Sequence, residues 1–173
     1  MVTRIALVRA NNPSAMTLTG TNSYVVDCGR GEALVIDPGP VDDRHVDDLL
    51  AAAASRNLRI STIALTHGHP DHAPGAVALA ARTGARVLAH PHSEAQHDGD
   101  LPLEGELTVG DLALRVIDAP GHTFEHVIFY EPSEAALYRL LQERLPGTTM
   151  ISIGHRSTLE AFQRELESIA RVM

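Results

Sequence analysis

Short apolar runs separated by polar turns dominate the first 130 residues, and most of them have the length of a β-strand. The runs that predict strands are residues 5–8, 23–28, 33–36, 60–65, 86–89, 107–109, 112–117 and 126–130. Glycine-containing turns at residues 29–31 and 110–111 separate neighbouring runs. Each of these turns predicts a β-hairpin.

Two stretches between the predicted strands carry apolar residues at helical spacing. The first covers residues 42–57, and its apolar positions follow the pattern i, i+3, i+4 and i+7: Val46, Leu49, Leu50 and Ala53. The second covers residues 73–82 and precedes Gly84, a typical helix C-cap. Leading strands followed by strand–helix–strand units are typical of an α/β sandwich.

Beyond residue 130 the pattern predicts helix, strand and helix in turn. The predicted elements are a helix over residues 133–145, a strand over residues 148–153 and a helix over residues 157–172. Their apolar faces could still pack on the preceding sheet. We therefore expect a single domain over residues 1–173, with a regular part over residues 1–130 and an atypical segment over residues 131–173.

Composition excludes several classes of function. All 14 basic residues are arginine, so a lysine nucleophile and a phosphate-binding loop that ends in Lys-Ser/Thr are both excluded. The net charge of -8 argues against non-specific binding of nucleic acid. The single cysteine, Cys28, excludes an internal disulfide and fits a small core residue. With no apolar stretch long enough for a bilayer and no signal peptide, we expect no membrane association and a cytoplasmic location.

The most distinctive stretch is Thr-His-Gly-His-Pro-Asp-His at residues 66–72, directly after the predicted strand of residues 60–65. Its potential metal ligands are His67, His69, Asp71 and His72. Imidazole nitrogen and carboxylate oxygen are the usual ligands of zinc sites that keep one position open for water. A further candidate is His122, which follows another predicted strand on a Pro-Gly turn. The sequence therefore predicts a site for one or two divalent ions.

The other histidines of the first 130 residues have simpler interpretations. His45 falls in the first turn of a helix, where we expect it to be solvated. Three more lie in the polar loop of residues 91–103 or just before it: His90, His92 and His97. We expect them to be ordinary loop residues. His126 is close to His122 and could contact a substrate, but an ordinary strand residue is the preferred interpretation.

Residues 66–72 resemble the His-x-His-x-Asp-His signature of the metallo-β-lactamase superfamily, and the Pro-Gly-His-Thr of residues 120–123 resembles its second signature. Residues 12–26 and 35–39 resemble the branch that holds glyoxalase-II-like thioesterases and lactamase-β-2-like endoribonucleases. The resemblance covers about residues 5–130. It implies an αββα sandwich of the metallo-β-lactamase type.

The resemblance also implies roles for particular residues. The first Zn²⁺ would be held by three histidines: His67, His69 and His122. The second would be held by Asp71 and His72, and Asp71 would also orient the attacking water as the catalytic carboxylate. Asp37 matches a position that supports the metal-binding loops from behind, where such contacts orient ligands.

The C-terminal segment departs from this family pattern. Members usually carry a Gly-Asp after a further strand, and its aspartate bridges the two metals, whereas residues 131–138 read Glu-Pro-Ser-Glu-Ala-Ala-Leu-Tyr. Gly154-His155 is superficially similar to a late Gly-His of the family, which leaves His155 as an alternative ligand. We therefore expect a C-terminal half that is shortened or replaced.

About residues 131–160 resemble the C-terminal end of an ABC-transporter ATPase domain, in which His155 would contact the γ-phosphate of ATP. The chain has no Walker A loop and no Leu-Ser-Gly-Gly-Gln signature, so we expect no ATP hydrolysis. A transporter-associated nucleotide-binding protein remains a third hypothesis, and measurable ATP binding would support it.

The sequence favours two functions. The first is a zinc-dependent hydrolase in which water activated by the metal attacks a thioester or phosphodiester, with a lactam as a further option. The alternative is a zinc-binding module of the same fold that is catalytically impaired and carries a non-functional ABC-like tail. The expected partner is a small-molecule or nucleotide-type substrate, and an oligomer is possible.

Overall fold

The computed structural model describes residues 4–95 and 100–131. The predicted tail elements, His97 and His155 therefore lie outside the described residues. Within them the chain forms nine strands and two helices: β1 (Ile5–Arg9), β2 (Asn22–Asp27), β3 (Glu32–Ile36), α1 (Asp43–Ala54), β4 (Arg59–Ala64), α2 (Gly75–Thr83), β5 (Arg86–Ala89), β6 (Leu101–Pro102), β7 (Glu106–Val109), β8 (Leu112–Asp118) and β9 (Val127–Tyr130).

The strands form a six-stranded and a three-stranded sheet. The larger sheet has the order β1-β2-β3-β4-β5-β6, and the smaller one has the order β7-β8-β9. β1, β2 and β3 pair antiparallel, whereas β3, β4, β5 and β6 run parallel. The parallel crossovers from β3 to β4 and from β4 to β5 pass through α1 and α2, and the one from β5 to β6 runs through the connection of residues 90–100. Both predicted hairpins, β2–β3 and β7–β8, are confirmed.

The helices begin and end for local reasons. Asp42 is the N-cap of α1, and its side chain accepts a hydrogen bond from the backbone N–H of Arg44. α1 ends at Ala54, three residues before the predicted end. Gly84 terminates α2 with φ of 70°, a left-handed conformation that glycine adopts without steric cost, as predicted.

Alternation along the central strands separates two apolar cores. On one face of the large sheet, Val25, Val35 and Ile63 pack with the helices through residues such as Leu49 and Leu79. On the other face, alternate residues pack against the small sheet: Val26, Leu34, Ala64 and Leu88. The central strands are thus covered on both faces, and the middle of β3, residues 33–35, is apolar and fully buried. In the part of the chain that the structure describes, the layers are the helices, the large sheet and the small sheet, in that order.

This architecture confirms the predicted α/β sandwich, and each strand predicted within residues 4–131 lies within one residue of its expected bounds. The prediction missed β6, because two residues that pair with β5 carry no periodic signal. Cys28 is buried in the second core, as predicted, and burial raises the pKa of its thiol to about 11. Among the residues that the structure describes, no helix has the length and apolar character needed to cross a bilayer.

Candidate metal centre

Three chain segments meet at one edge of the large sheet. β3 and β4 are parallel, so their carboxyl ends lie side by side, with Asp37 after β3 and residues 65–72 after β4. The loop of residues 119–126, between β8 and β9, joins them from the small sheet. The backbone N–H of Val127 donates to the carbonyl of Thr66 at 2.9 Å, which holds this loop against the end of β4.

His67, His69 and His122 converge, as the sequence predicted. One nitrogen from each lies within 4.8 Å of the others. The ring centroids are 4.7 Å apart for His67 and His69, 4.9 Å for His67 and His122, and 4.7 Å for His69 and His122. Three imidazoles so close together are unfavourable when protonated but favourable around a cation.

A hydrogen-bond chain determines the tautomer of His67. The Thr66 hydroxyl donates its one proton to Asp37 Oδ2 at 2.6 Å, so it can only accept from His67 Nδ1, 2.9 Å away. The proton of the neutral ring is therefore on Nδ1, and Nε2 presents a lone pair. This Nε2 is buried and has no hydrogen-bond partner among the described residues. A buried lone pair without a partner is the state in which imidazole binds a metal.

Electrostatics keep His67 neutral. His67 is only 4% exposed. Burial is the main cause that lowers the pKa of His67 to about 3, and the neighbouring His72 acts in the same direction. An imidazole must be neutral to coordinate a metal, so a low pKa favours coordination at neutral pH. The donor set of the three-histidine cluster and the protonation state of His67 both fit a divalent ion with imidazole preference, such as zinc.

Asp37 has a supporting position rather than an exposed one. Its Oδ1 accepts from the backbone N–H of Thr66 at 2.7 Å, and its Oδ2 accepts from the Thr66 hydroxyl and from His72 Nδ1 at 3.0 Å. One oxygen of Asp37 lies within 4.8 Å of nitrogens of His67 and His72. Because both of its oxygens are already engaged, this carboxylate orients the two rings and is a poor ligand itself.

His72 and Asp71 form a second pair of potential ligands. The Nδ1 of His72 faces Asp37, which leaves Nε2 on the other side, 3.3 Å from Asp71 Oδ2. Burial by itself would lower the pKa of His72, but the hydrogen bond and charge of Asp37, together with the charge of Asp71, raise it above its usual value. Asp71 is outside both groups of closely spaced ligand atoms, yet it lies next to His72.

Glu125, to which the sequence analysis assigned no role, connects the two loops of the site. Its Oε1 accepts a hydrogen bond from the backbone N–H of Gly68 at 3.1 Å. Gly68 allows close packing of the loop, because a Cβ there would lie 3.1 Å from Ser93 Oγ and 3.3 Å from Ala95. A carboxylate three residues after a candidate histidine is too common a pattern to have indicated Glu125.

His126 was expected to be an ordinary strand residue, but it lies close to the three-histidine cluster. It precedes β9 instead of starting it, and its ring centroid is 5.1 Å from that of His67 and 6.1 Å from that of His122. Its Nδ1 is buried without a hydrogen-bond partner among the described residues, and burial lowers the pKa of His126. The spacing of four residues from His122 was the available signal.

The prediction for His45 was wrong. Its side chain is buried, with 2% exposure, and Nε2 is 2.8 Å from the hydroxyl of Ser23 on β2. The first turn of α1 faces the large sheet, so the side chain of His45 points towards β2. His90 and His92 belong to neither group of closely spaced ligand atoms. The Nε2 of His90 lies 3.6 Å from a carboxylate oxygen of Asp118.

Comparison with known proteins places this geometry in a family. Residues 16–139 match the profile of the metallo-beta-lactamase superfamily. Over 103 residues the chain is 42% identical to hydroxyacylglutathione hydrolase of Anaeromyxobacter dehalogenans (58% of this chain, 38% of that protein). It is 29% identical over 175 residues to atrochrysone carboxyl ACP thioesterase of Aspergillus fumigatus (98% of this chain, 52% of that protein). The chain thus spans about half or less of the length of these relatives.

Solved structures agree on the fold. The crystal structure of ETHE1 from Myxococcus xanthus superimposes with a TM-score of 0.60 at 26% identity, covering 73% of this chain and 53% of that one. The metallo-β-lactamase fold predicted from the two histidine signatures is thereby confirmed.

The ABC-transporter resemblance of residues 131–160 receives no support from these matches. The superfamily profile continues to residue 139, and the alignment with the Aspergillus thioesterase spans 98% of the chain. On its profile match and its fold, the chain belongs to the metallo-beta-lactamase superfamily.

Proposed function

We propose that this chain carries the metal centre of a zinc-dependent hydrolase. The observation that carries the proposal is the buried Nε2 of His67, a lone pair without a hydrogen-bond partner in the described part of the chain, next to the rings of His69 and His122. A buried polar atom without a partner is costly unless a ligand satisfies it. The relatives that match this chain include enzymes named as hydrolases and thioesterases.

His67, His69 and His122 would hold one Zn²⁺, and Asp71 with His72 would contribute to a second. A bound zinc ion lowers the pKa of a coordinated water towards about 7 and polarises an electrophile. Asp37 and Thr66 keep the ring of His67 in the tautomer that presents Nε2. Asp71 would orient the attacking water through its carboxylate and serve as the catalytic base.

A thioester is the favoured substrate. Hydroxyacylglutathione and acyl carrier protein substrates, which the names of two relatives specify, are both thioesters. Three highly exposed apolar side chains lie on the segments that contact the site: Met16, Leu18 and Phe124. Phe124 is two residues from His122, and the loop of Met16 and Leu18 leads to Thr21, which contacts Asp71. An apolar acyl chain would complement such side chains. A phosphodiester is the second choice.

A catalytically impaired zinc-binding module is the alternative, and one feature of the sequence favours it. Residues 131–138 contain no Gly-Asp after β9, where superfamily members usually carry the aspartate that bridges two metals. Such a module would bind zinc through the three histidines and turn over no substrate. A cytoplasmic location and an oligomeric state both stay predictions.

Zinc content and thioester hydrolysis test the proposal together. We expect elemental analysis of the purified protein to find at least one zinc per chain, and S-acylglutathione to be hydrolysed faster than a phosphodiester or a lactam. His67→Ala should lose both zinc and activity. The matched control is His92→Ala, which removes an exposed histidine outside the ligand groups and should leave both unchanged.

Each other outcome has a defined meaning. Stoichiometric zinc without turnover of any of the three substrates would support the impaired module. The metal centre would be contradicted altogether if the purified protein contained no zinc and bound none on reconstitution. In that case His67→Ala would leave the zinc content unchanged.

A further inference from the structure

We infer that Thr21 and Asn12 are positioning residues for Asp71. Asn12 donates a hydrogen bond to the Thr21 hydroxyl, which in turn donates to the carboxylate of Asp71. The inference rests on the proposed function, because it concerns how the carboxylate next to the histidine cluster is oriented. Asn12 contacts Thr21, and Thr21 contacts Asp71 across 50 positions of sequence.

The orientation of the Asn12 amide follows from its backbone partner. The N–H of Thr21 can only donate, and it lies 2.9 Å from one side-chain atom of Asn12, which must therefore be the carbonyl oxygen Oδ1. The other side-chain atom is then the amide nitrogen Nδ2. It lies 3.1 Å from the Thr21 hydroxyl and can only donate to it.

The Thr21 hydroxyl consequently has one direction for its proton. It accepts from Asn12 Nδ2, and its oxygen is 3.0 Å from Asp71 Oδ2, an atom that only accepts when the carboxylate is ionised. The hydroxyl therefore donates to Asp71. A hydrogen bond to a charged acceptor is stronger than one between neutral groups.

The hydrogen bond joins the buried Thr21 to the more exposed Asp71. Thr21 is 5% exposed, and its carbonyl accepts from the backbone N–H of Ala10 at 2.9 Å. The side chain of Asp71 is 32% exposed. Thr21 holds one oxygen, Oδ2, and thereby limits rotation of the carboxylate. Partners behind metal-binding groups act in this way on ligand orientation.

Titration of metal-free protein with Zn²⁺, in competition with a chromophoric chelator, tests the inference without any turnover. Thr21→Val keeps the shape but removes the hydroxyl, and we expect the Zn²⁺ equivalent to which Asp71 contributes to bind roughly 10- to 100-fold more weakly. Thr21→Ser restores the hydroxyl and should restore affinity. Asn12→Asp still accepts from the Thr21 N–H but cannot donate to the hydroxyl, so it should weaken Zn²⁺ binding as Thr21→Val does.

Asn11→Asp is the matched control, since it adds the same charge one residue away on an exposed side chain. It should bind Zn²⁺ as the wild type does. Thermal unfolding of each metal-free variant reports its folding, and if Thr21→Val does not fold, the comparison of Asn12→Asp with Asn11→Asp decides.

Wild-type affinity in Thr21→Val, or equal losses in Thr21→Val and Thr21→Ser, would overturn the inference, because the hydroxyl would then have no specific role. Equal affinities in Asn12→Asp and Asn11→Asp would overturn the part assigned to Asn12. Unchanged Zn²⁺ binding in His67→Ala is a different result, since it contradicts the metal centre and not the positioning of Asp71.

Discussion

Asp37 and Thr66 form two hydrogen bonds across the carboxyl ends of β3 and β4. The backbone N–H of Thr66 donates to Oδ1 at 2.7 Å, and its hydroxyl donates to Oδ2 at 2.6 Å. Both neighbouring strands end at this pair, and the histidine-rich loop begins directly after it. The pair therefore determines where the loop leaves the sheet and how the ring of His67 is turned.

Replacing Asp37 should weaken both the fold and the metal centre. Asp37→Asn keeps the size of the side chain but replaces an acceptor with a donor that faces other donors, which should cost about 2 kcal/mol in the free energy of unfolding. Zn²⁺ affinity should fall roughly 10- to 100-fold. Urea unfolding and Zn²⁺ titration measure the two effects.

Asp111→Asn is the control for this change. Asp111 forms an exposed ion pair with Arg30, and such pairs contribute less than about 1 kcal/mol. Equal losses of stability in the two variants would contradict the supporting role of Asp37.

Glu125 should matter through its acceptor oxygen. Glu125→Ala removes the partner of the Gly68 N–H and frees the two loops from each other, so Zn²⁺ affinity should fall, whereas Glu125→Gln keeps an oxygen at the same place and should retain more of it. Isothermal titration of metal-free protein with Zn²⁺ distinguishes the variants. If Glu125→Gln loses as much affinity as Glu125→Ala, the charge of Glu125 matters more than the hydrogen bond.

Removing the metal should lower stability by mass action. A ligand that binds only the folded state adds about 2.7 kcal/mol when its free concentration is 100 times its Kd. We therefore expect a chelator to lower the Tm of the wild type and added Zn²⁺ to restore it, while His69→Ala responds little to either. Differential scanning calorimetry provides the measurement. A Tm that is insensitive to the chelator in metal-loaded wild type would argue against a site in the folded state.

His45 should make stability depend on pH. Burial lowers the pKa of His45 below its usual 6.5, although Asp42 and Asp48 act in the opposite direction. Below pH 6.5 the unfolded chain therefore binds a proton that the folded chain does not, so the free energy of unfolding decreases as the pH falls, by at most about 1.4 kcal/mol per pH unit for this group.

His45→Gln removes this contribution and should flatten the slope of stability against pH in metal-free protein. The other buried histidines contribute to both proteins and cancel in the comparison. His92→Gln, which changes an exposed histidine, should keep the wild-type slope. Urea unfolding at several pH values between 5 and 8 measures the slopes, and parallel curves for His45→Gln and the wild type would show that His45 does not titrate differently on folding.

The sequence by itself determined the elements and the main ligand candidates. Short apolar runs and the glycine-containing turns between them are local properties, so the strands, the hairpins and the α/β class could be predicted from them. His67, His69, Asp71 and His72 lie within six residues after a strand, which made the cluster visible without a fold. His122 was a candidate because it follows a predicted strand on a Pro-Gly turn, and the family resemblance then grouped it with His67 and His69.

Only the tertiary structure decided which groups support the cluster. Asp37 and Thr66 are 29 residues apart, and Thr21 and Asp71 are 50 apart. Such contacts depend on strand register and loop direction, and a hydrogen bond between distant residues leaves no periodic trace in the chain. The same holds for His45, whose burial depends on which face of α1 meets β2. The residues that can bind a metal can thus be identified from the local sequence. Their tautomers, their orientation and their neighbours depend on how the two sheets and the helices pack.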